Sequence, residues 1–498
     1  MNVHHLPGLG VGLVLWPALL PLLSDGGSGI DVVEIEPEFF WFETGDPREP
    51  MRLDTGILQQ LAQLPQHKLV HGVAAPIGGT LGPQACQLQL MRDVVETLRA
   101  PWASEHLSFN AIPSGESRMD SGFLLPPLQT AEGATQAARN IVAMRQQLQL
   151  PVAVENNVNY LRPLPGELSD GDFITQVVQA ADCGLLLDLH NLWVNEKNGR
   201  QPAREVLAQL PLDRVWEVHL AGGSQHRGYW LDAHSGLVND EVMALAAETV
   251  PDLPNLRAII FEMLPDYLPQ VGLDQVRLQI ERLHRLWALR RPRVSSPRAP
   301  SIEASQYNDA TRAVPTPAAW EQALGTLVSG RPSGLNANAP FPADEPGVAI
   351  LRELARNARA GQIASAAKLT TRLLLAHGGE AAFNAAFDPY VARHAPRQFA
   401  SSEALAFLDD IQGTALSIPH LLEVARFESA VIRSALSRDE RMTLFETDPL
   451  PLLAALAEGR PPARAYDAIP HRVTLRNGAV TRMQRVALRN GARDKSHA

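Results

Sequence analysis

At 498 residues the chain is too long for one ordinary core, and 45% hydrophobic with 20% charged residues is the balance of a soluble globular protein of about two domains. The formal net charge of −10, from 44 Lys and Arg against 54 Asp and Glu, argues against a dedicated nucleic-acid binder. The two cysteines, Cys86 and Cys183, are far apart and in no Cys-x-x-Cys pattern, which argues against a disulfide framework or zinc ribbon and makes a reducing cytoplasm the simplest setting.

The apolar stretch Leu9–Leu23 has no Lys or Arg before it and is interrupted by Pro17 and Pro21. It reads as a first strand and first helix, not as a signal peptide or a membrane span. Seven further β-like runs follow at Val32–Glu36, Lys68–Val73, Ser104–Phe109, Val152–Asn156, Gly184–Leu189, Val215–Leu220 and Ala258–Glu262. Amphipathic stretches separate most of them: Gly56–Leu64, Gln87–Leu98, Ala131–Leu148, Phe173–Ala181 and Leu273–Leu289. Near-continuous apolar strands suit a parallel sheet covered by helices. The alternation over residues 1–289 predicts an α/β fold, a (β/α)8 TIM barrel. An open doubly wound sheet is the alternative, but no dinucleotide fingerprint or Walker loop supports it.

Residues 290–317 turn to Pro, Ser, Ala and Arg, the composition of a linker. Residues 318–498 read as a mostly α-helical domain with helices at Ala318–Val328, Gly347–Ala360, Ala364–Leu375, Ser402–Ile411 and Pro419–Ser437. A terminal β-hairpin is expected around Asn477-Gly478, a favoured two-residue turn. Its Arg476, Arg482 and Arg485 read either as a solvated basic hairpin or as a surface for an acidic peptide.

The ionisable residues gather at strand ends. His71 ends the third strand, His106 lies in the fourth beside Glu105, and Glu155 with Asn156 ends the fifth. Asp188 ends the sixth, His219 the seventh and Glu262 the eighth, with Asp232 and His234 following the seventh. In a barrel these ends share one mouth. Four His and four carboxylates exceed what one ion takes, and mixed N/O ligation without thiolates suits Fe, Mn, Co or Zn. Glu155, in mid-barrel, is the best-placed bridge between ions. Glu105 should point away from His106 and serve as a supporting group. Any one of these residues alone has a bland explanation, Asp188 or Glu262 as a helix cap for instance.

The blocks Gly10-Val-Gly-Leu13, Glu34-Ile-Glu-Pro-Glu38, Val70-His-Gly-Val73, Ser104-Glu-His-Leu107, Val154-Glu-Asn156, Leu186-Leu-Asp188, Glu217-Val-His-Leu-Ala-Gly222, Leu231-Asp-Ala-His234 and Phe261-Glu262 occur in order. Together they resemble the DUF692 (UPF0276) family, MbnB/TglH-like multinuclear non-heme iron-dependent oxidative enzymes. The resemblance implies two or three irons, O2 as co-substrate, and oxidative modification of a ribosomally made precursor peptide, often at Cys. It places metal ligands on His71, His106, Glu155, Asp188, His219, Asp232, His234 and Glu262, with Glu155, Asp232 and His234 as the catalytic group. His190 stands where the family usually has Asn, next to Asn191, and is a further candidate ligand; Glu36 stands where the family has His. The helical half resembles DUF2063-type partner proteins, so the substrate-engaging partner is expected to be fused in cis. No membrane or nucleic-acid partner is expected. A redox-neutral divalent-metal hydrolase or sugar isomerase is the competing reading, since such barrels serve those chemistries too.

Overall fold

A computed structural model describes residues 5–24, 29–46, 48–115, 117–291, 314–330, 345–413, 416–463 and 465–486. Eight parallel strands close into a barrel: β1 (Gly10–Val14), β2 (Val32–Ile35), β3 (His67–Gly72), β4 (Ala103–His106), β5 (Val152–Glu155), β6 (Gly184–Asp188), β7 (Val215–Ala221) and β8 (Ala258–Glu262). Each strand lies beside its sequence neighbours, and β8 closes on β1 with Gly10 opposite Ala258. Every strand expected from the sequence is present. The fourth is shorter than its apolar run suggests, because the chain leaves the barrel after His106 and resumes at Phe109 as one arm of a hairpin.

Period-two alternation builds the mouth. Leu69 precedes His71 by two positions, Ala153 precedes Glu155, Leu186 precedes Asp188 and Ile260 precedes Glu262. The apolar member of each pair packs with Trp102 and Trp216 in one buried cluster. The polar member stands one step further along, where the strand ends. Helices cover the outside, and their starts carry side-chain caps: Thr130 accepts from Gly133 N, Ser169 from Asp172 N and Asn239 from Val242 N. Three two-stranded excursions interrupt the plain barrel, at Trp41–Leu53, Phe109–Leu125 and Ser224–Leu231.

The chain divides into two compact units. The first comprises residues 1–41, 53–328 and 332–353; the second comprises 42–52, 329–331 and 354–498. Helix Pro317–Val328, beyond the expected linker, thus belongs with the barrel. Trp320, Leu324 and Val328 are buried, and the Trp320 indole donates to Pro126 O at 3.1 Å. Residues 292–313 of that linker lie outside the described residues.

Glu321 on the same helix accepts from Thr80 N at 2.8 and 3.0 Å and from the Thr80 hydroxyl. That contact holds the segment after β3, where Ile77 N donates to His106 O and Gly78 N to Ser108 O. Burial pushes the Glu321 carboxyl from 4.5 up to about 7, against the Thr80 hydrogen bonds that favour the ion. A carboxyl raised in the native state binds its proton more tightly there, so native stability falls as pH rises from the unfolded value through the folded one. The Glu321→Gln variant keeps an acceptor for Thr80 N and removes the titration. Relative to it, wild type should lose up to about 3 kcal/mol between pH 4.5 and 7 and then level off. Denaturant midpoints of both proteins across that range check this; a pH-independent difference, or one of opposite sign, contradicts it.

The second unit packs helices Lys368–Arg393, Ala400–Gln412 and Leu421–Ser437 around Phe387, Tyr390 and Phe407. Its sheet has three antiparallel strands, Arg441–Phe445, His471–Arg476 and Ala479–Arg485, so the expected hairpin is present with one more strand beside it. Asn477 and Gly478 take φ of 52° and 75°, the positive pair a tight hairpin turn needs. Phe445, Val473 and Leu475 join the core, whereas Met442, Leu444, Arg476, Arg482 and Arg485 are exposed.

Candidate metal centre

The strand ends bring the expected residues into one chain of alternating imidazoles and carboxylates. Glu155 Oε2 lies 3.1 Å from His71 Nε2 and 3.2 Å from His106 Nε2. Its other oxygen is 3.9 Å from His219 Nδ1, which is 3.2 Å from Glu262 Oε2. Glu262 Oε1 then meets His234 Nδ1 at 3.0 Å, and His234 Nε2 meets Asp232 Oδ1 at 2.9 Å. His190 Nδ1 closes the line, 3.3 Å from the same Asp232 oxygen. Asp188 sits in the middle, its ligand atom within 4.8 Å of Glu155 and His219 on one side and of His234 and Glu262 on the other.

Local sequence sets these orientations. Asp188 ends β6 and at once caps helix Leu189–Lys197: its Oδ1 accepts from Asn191 N at 2.7 Å while Oδ2 is buried without a partner. Asn156 fixes the Asp188 backbone, donating to its carbonyl and accepting from its N–H, each at 2.9 Å. Asn191 donates to Asn156 O at 3.2 Å, which makes it a brace with its own oxygen unpartnered. Gly223 makes room for His190, since a Cβ there would fall 2.6 Å from His190 Nε2. His234 takes φ of +45°, a left-handed conformation that costs a β-carbon-bearing residue energy, and its carbonyl accepts from Leu264 N.

Do the residues fit a cation? His106 Nδ1 faces Gly72 O at 3.0 Å, and a carbonyl only accepts, so Nδ1 carries the proton. In the neutral ring the Nε2 lone pair then points at the Glu155 carboxylate, an arrangement that needs a positive charge between them. Glu155 Oε2 and Asp232 Oδ1 are both buried, at ion-pair distance from imidazoles but without hydrogen-bond alignment. Without an ion, protons must neutralise the cluster. Burial alone would lower the His106 pKa, but Glu155 and Glu105 outweigh it and raise it to about 10. Burial, with Glu155 and Asp232 nearby, drives the Asp188 carboxyl well up. A donor set this starved of positive charge fits metal cations. Among the described residues four such triads occur, linked through shared members: His71/His106/Glu155, Glu155/Asp188/His219 and Asp188/His234/Glu262 at the mouth, and Glu34/Glu217/His219 within the barrel.

Glu105, expected to be a supporting residue, lies beside the cluster, with Oε2 4.0 Å from His106 Nδ1. It is fully buried, accepts from Ala75 N at 2.9 Å, and needs Gly72, whose Cβ would come 2.5 Å from its Oε2. Asp232 is in none of the triads and reaches the cluster through His234. The sequence reading gave no role to Glu34 and Glu217. Both are buried in the barrel beside His219, Glu34 Oε1 at 2.9 Å from Nε2 and Glu217 Oε1 at 3.9 Å, with the Trp102 indole donating to Glu217 at 2.9 Å. Burial and the Glu34 charge push the Glu217 carboxyl well up. Glu36 was noted only as a departure. Half-buried at the mouth, its carboxyl is driven up by burial and by Glu262 and Glu38.

A closed parallel barrel with a carboxylate–imidazole cluster across the ends of its strands is a TIM barrel carrying a candidate metal centre. Within that class, residues 10–283 match the family of RiPP precursor modification enzymes MbnB/TglH/ChrH, and the chain belongs to it. A UPF0276 protein of Chromobacterium violaceum is 32% identical over 251 residues, 50% of this chain and 86% of the relative. One from Pseudomonas aeruginosa is 34% identical over 243 residues, 48% of this chain and 80% of that protein. Another, from Caulobacter vibrioides, is 27% identical over 288 residues, covering 58% and 97%. Solved structures are more distant: endonuclease IV of Thermus thermophilus aligns at TM-score 0.37 and 14% identity over 57% of this chain and 99% of its own. The IOLI protein with a bound zinc aligns at 0.36 and 11%, over 56% and 97%. Among the described residues no helix is long and apolar enough to cross a membrane.

Proposed function

We propose that this chain is an O2-dependent multinuclear non-heme iron enzyme that oxidatively modifies a ribosomally made precursor peptide, at Cys. The observation that carries the reading is the alternating line from His71 and His106 through Glu155, His219, Glu262 and His234 to Asp232, with Asp188 at its centre. Its three overlapping triads suit two or three ions that share Glu155 and Asp188. Bound iron would supply one-electron chemistry and an open position for O2 and the substrate thiolate. The chain's own groups do the rest. Gly72 O fixes the His106 tautomer, Asn156 and Asn191 hold Asp188, and Glu34 faces the inner nitrogen of His219. Glu155, Asp232 and His234 are the catalytic group, and His190, against Asp232, stands beside it.

In the second unit the exposed Arg476, Arg482 and Arg485 lie on a sheet whose outer strands pair on one side only among the described residues. Such an edge suits strand addition by an acidic leader peptide, with the unit serving as the fused substrate-engaging partner in a reducing cytoplasm. The test uses the iron-loaded full chain with a short Cys-bearing peptide encoded beside its gene. Oxygen uptake coupled to a mass change at the peptide's Cys is expected. Turnover of a sugar or ester that proceeds equally without O2 and with zinc would replace this reading by the isomerase or hydrolase one.

A further inference from the structure

One line of aromatic residues leads out of the candidate centre. His190, fully buried beside Asp232, stacks on Trp193 with ring centroids 6.0 Å apart and planes inclined by 27°. Trp193 meets Trp230 edge-on at 4.6 Å, and Trp230 is half-buried. Asn198 pins the Trp230 backbone from both sides, accepting from its N–H and donating to its carbonyl, each at 2.9 Å. An edge-on tryptophan pair is ordinary core packing by itself. Here both ends are specified, the inner by a residue touching Asp232 and the outer by exposure. The Trp193 N–H also donates to Glu241 Oε2 at 3.0 Å, a surface carboxylate that is 2.6 Å from the Lys197 ammonium. One-electron oxidation makes an indole N–H far more acidic than in the neutral ring, and this hydrogen bond offers its proton an acceptor.

We infer that Trp193 and Trp230 form an electron relay between the metal centre and a small one-electron reductant in solution. This rests on the redox-active reading of the centre. With iron bound and O2 as oxidant, the Trp193 indole would give up one electron towards the centre and its Nε1 proton to the Glu241 carboxylate. Trp230 returns one electron to the Trp193 radical, which takes its proton back from Glu241. A reductant of the ascorbate or thiol class then gives one electron to Trp230 and releases its own proton to water, so both indoles are restored and the net transfer is one electron from the reductant to the oxidant at the centre. The relay refills the centre when peptide is absent and protects its ligands.

The experiment exposes the iron-loaded full chain to O2 without peptide, with and without ascorbate, and maps oxidised tryptophan by peptide mass spectrometry. Oxidation should concentrate on Trp193 and Trp230 and spare Trp216 and Trp320. It should vanish in zinc-loaded protein and be suppressed by ascorbate. Trp193→Phe should abolish most Trp230 oxidation and shift damage to His234 and His106. Trp230→Phe, at a half-exposed position, should leave Trp193 oxidised but slow its rescue by ascorbate. Oxygen uptake with tryptophan oxidation absent, or spread evenly over Trp216 and Trp320, overturns the relay alone. Oxygen uptake only when the Cys-bearing peptide is added, and none without it, overturns the relay alone, whereas no uptake even with peptide overturns the functional reading and the relay with it.

Discussion

Replacing Glu155 by alanine is expected to strip the chain of most of its metal and to abolish peptide modification. Among the described residues Glu155 faces three imidazoles of the cluster, where Glu262 faces two: Oε2 lies between His71 and His106, and Oε1 faces His219. Loss of a terminal ligand weakens one ion, whereas loss of a bridge weakens both neighbours. The metal-free protein isolates the carboxylate's other role. Buried Glu155 is then the counter-charge to His71 and His106, and its removal leaves those imidazoles without one, so metal-free Glu155→Ala should be less stable than metal-free wild type. Metal binding stabilises the native state by mass action, about 4 kcal/mol per site at a thousandfold excess over Kd. Added metal should therefore raise the wild-type melting temperature by several degrees and leave the variant nearly unmoved. Glu155→Gln, close in volume, separates charge from packing and should behave like the alanine variant. Retention of the full metal complement by both variants would show that Glu155 bridges nothing.

The second large effect concerns where the barrel ends. A fragment cut at Leu289, where the sequence alone places the boundary, removes helix Pro317–Val328 from the wall it packs against. Trp320, Leu324 and Val328 lose their burial, Gly325 no longer covers Ile112, and Thr80 loses both Glu321 oxygens. Fully burying side chains of this kind is worth about 1.5–3 kcal/mol each, so the loss for the three is about 5–9 kcal/mol before any residual burial in the unfolded chain is discounted. That is a large part of the stability of an ordinary domain. A fragment ending at Glu353 keeps that helix together with the Arg162–Glu345 and His226–Glu353 contacts. The longer fragment should be expressed soluble and melt cooperatively, and the shorter one should aggregate or melt far lower. Equal melting of the two would mean that the helix is an ornament on a complete barrel.

Barrel strands were legible because each is a short apolar run that ends in a charged or imidazole side chain, as in Gly184-Leu-Leu-Leu-Asp188. The side-chain alternation that packs Leu186 inward places Asp188 inward too, so strand and site were read from the same few letters. Excursions such as Ser117–Leu125 carry no such pattern: Ser-Arg-Met-Asp-Ser pairs through its backbone, which the sequence does not advertise. Helix Leu189–Lys197 was hidden because it starts on the strand's last residue, with Asp188 as strand end and cap at once. Glu34 and Glu217 did leave a signal. A carboxylate inside Val32-Val33-Glu34-Ile35, and another two positions before His219, marks a charge on the barrel's inner face. The contact of His190 with Asp232 left none, because it depends on how the loop after β7 returns over the mouth.

The most direct test of the account is the metal content of the full chain purified without oxygen. The shared carboxylates Glu155 and Asp188, serving three overlapping triads, predict more than one iron per chain, and Glu155→Ala should bring that number down with the activity. A homogeneous preparation with one zinc per chain and no iron, fully active on its substrate, would contradict it.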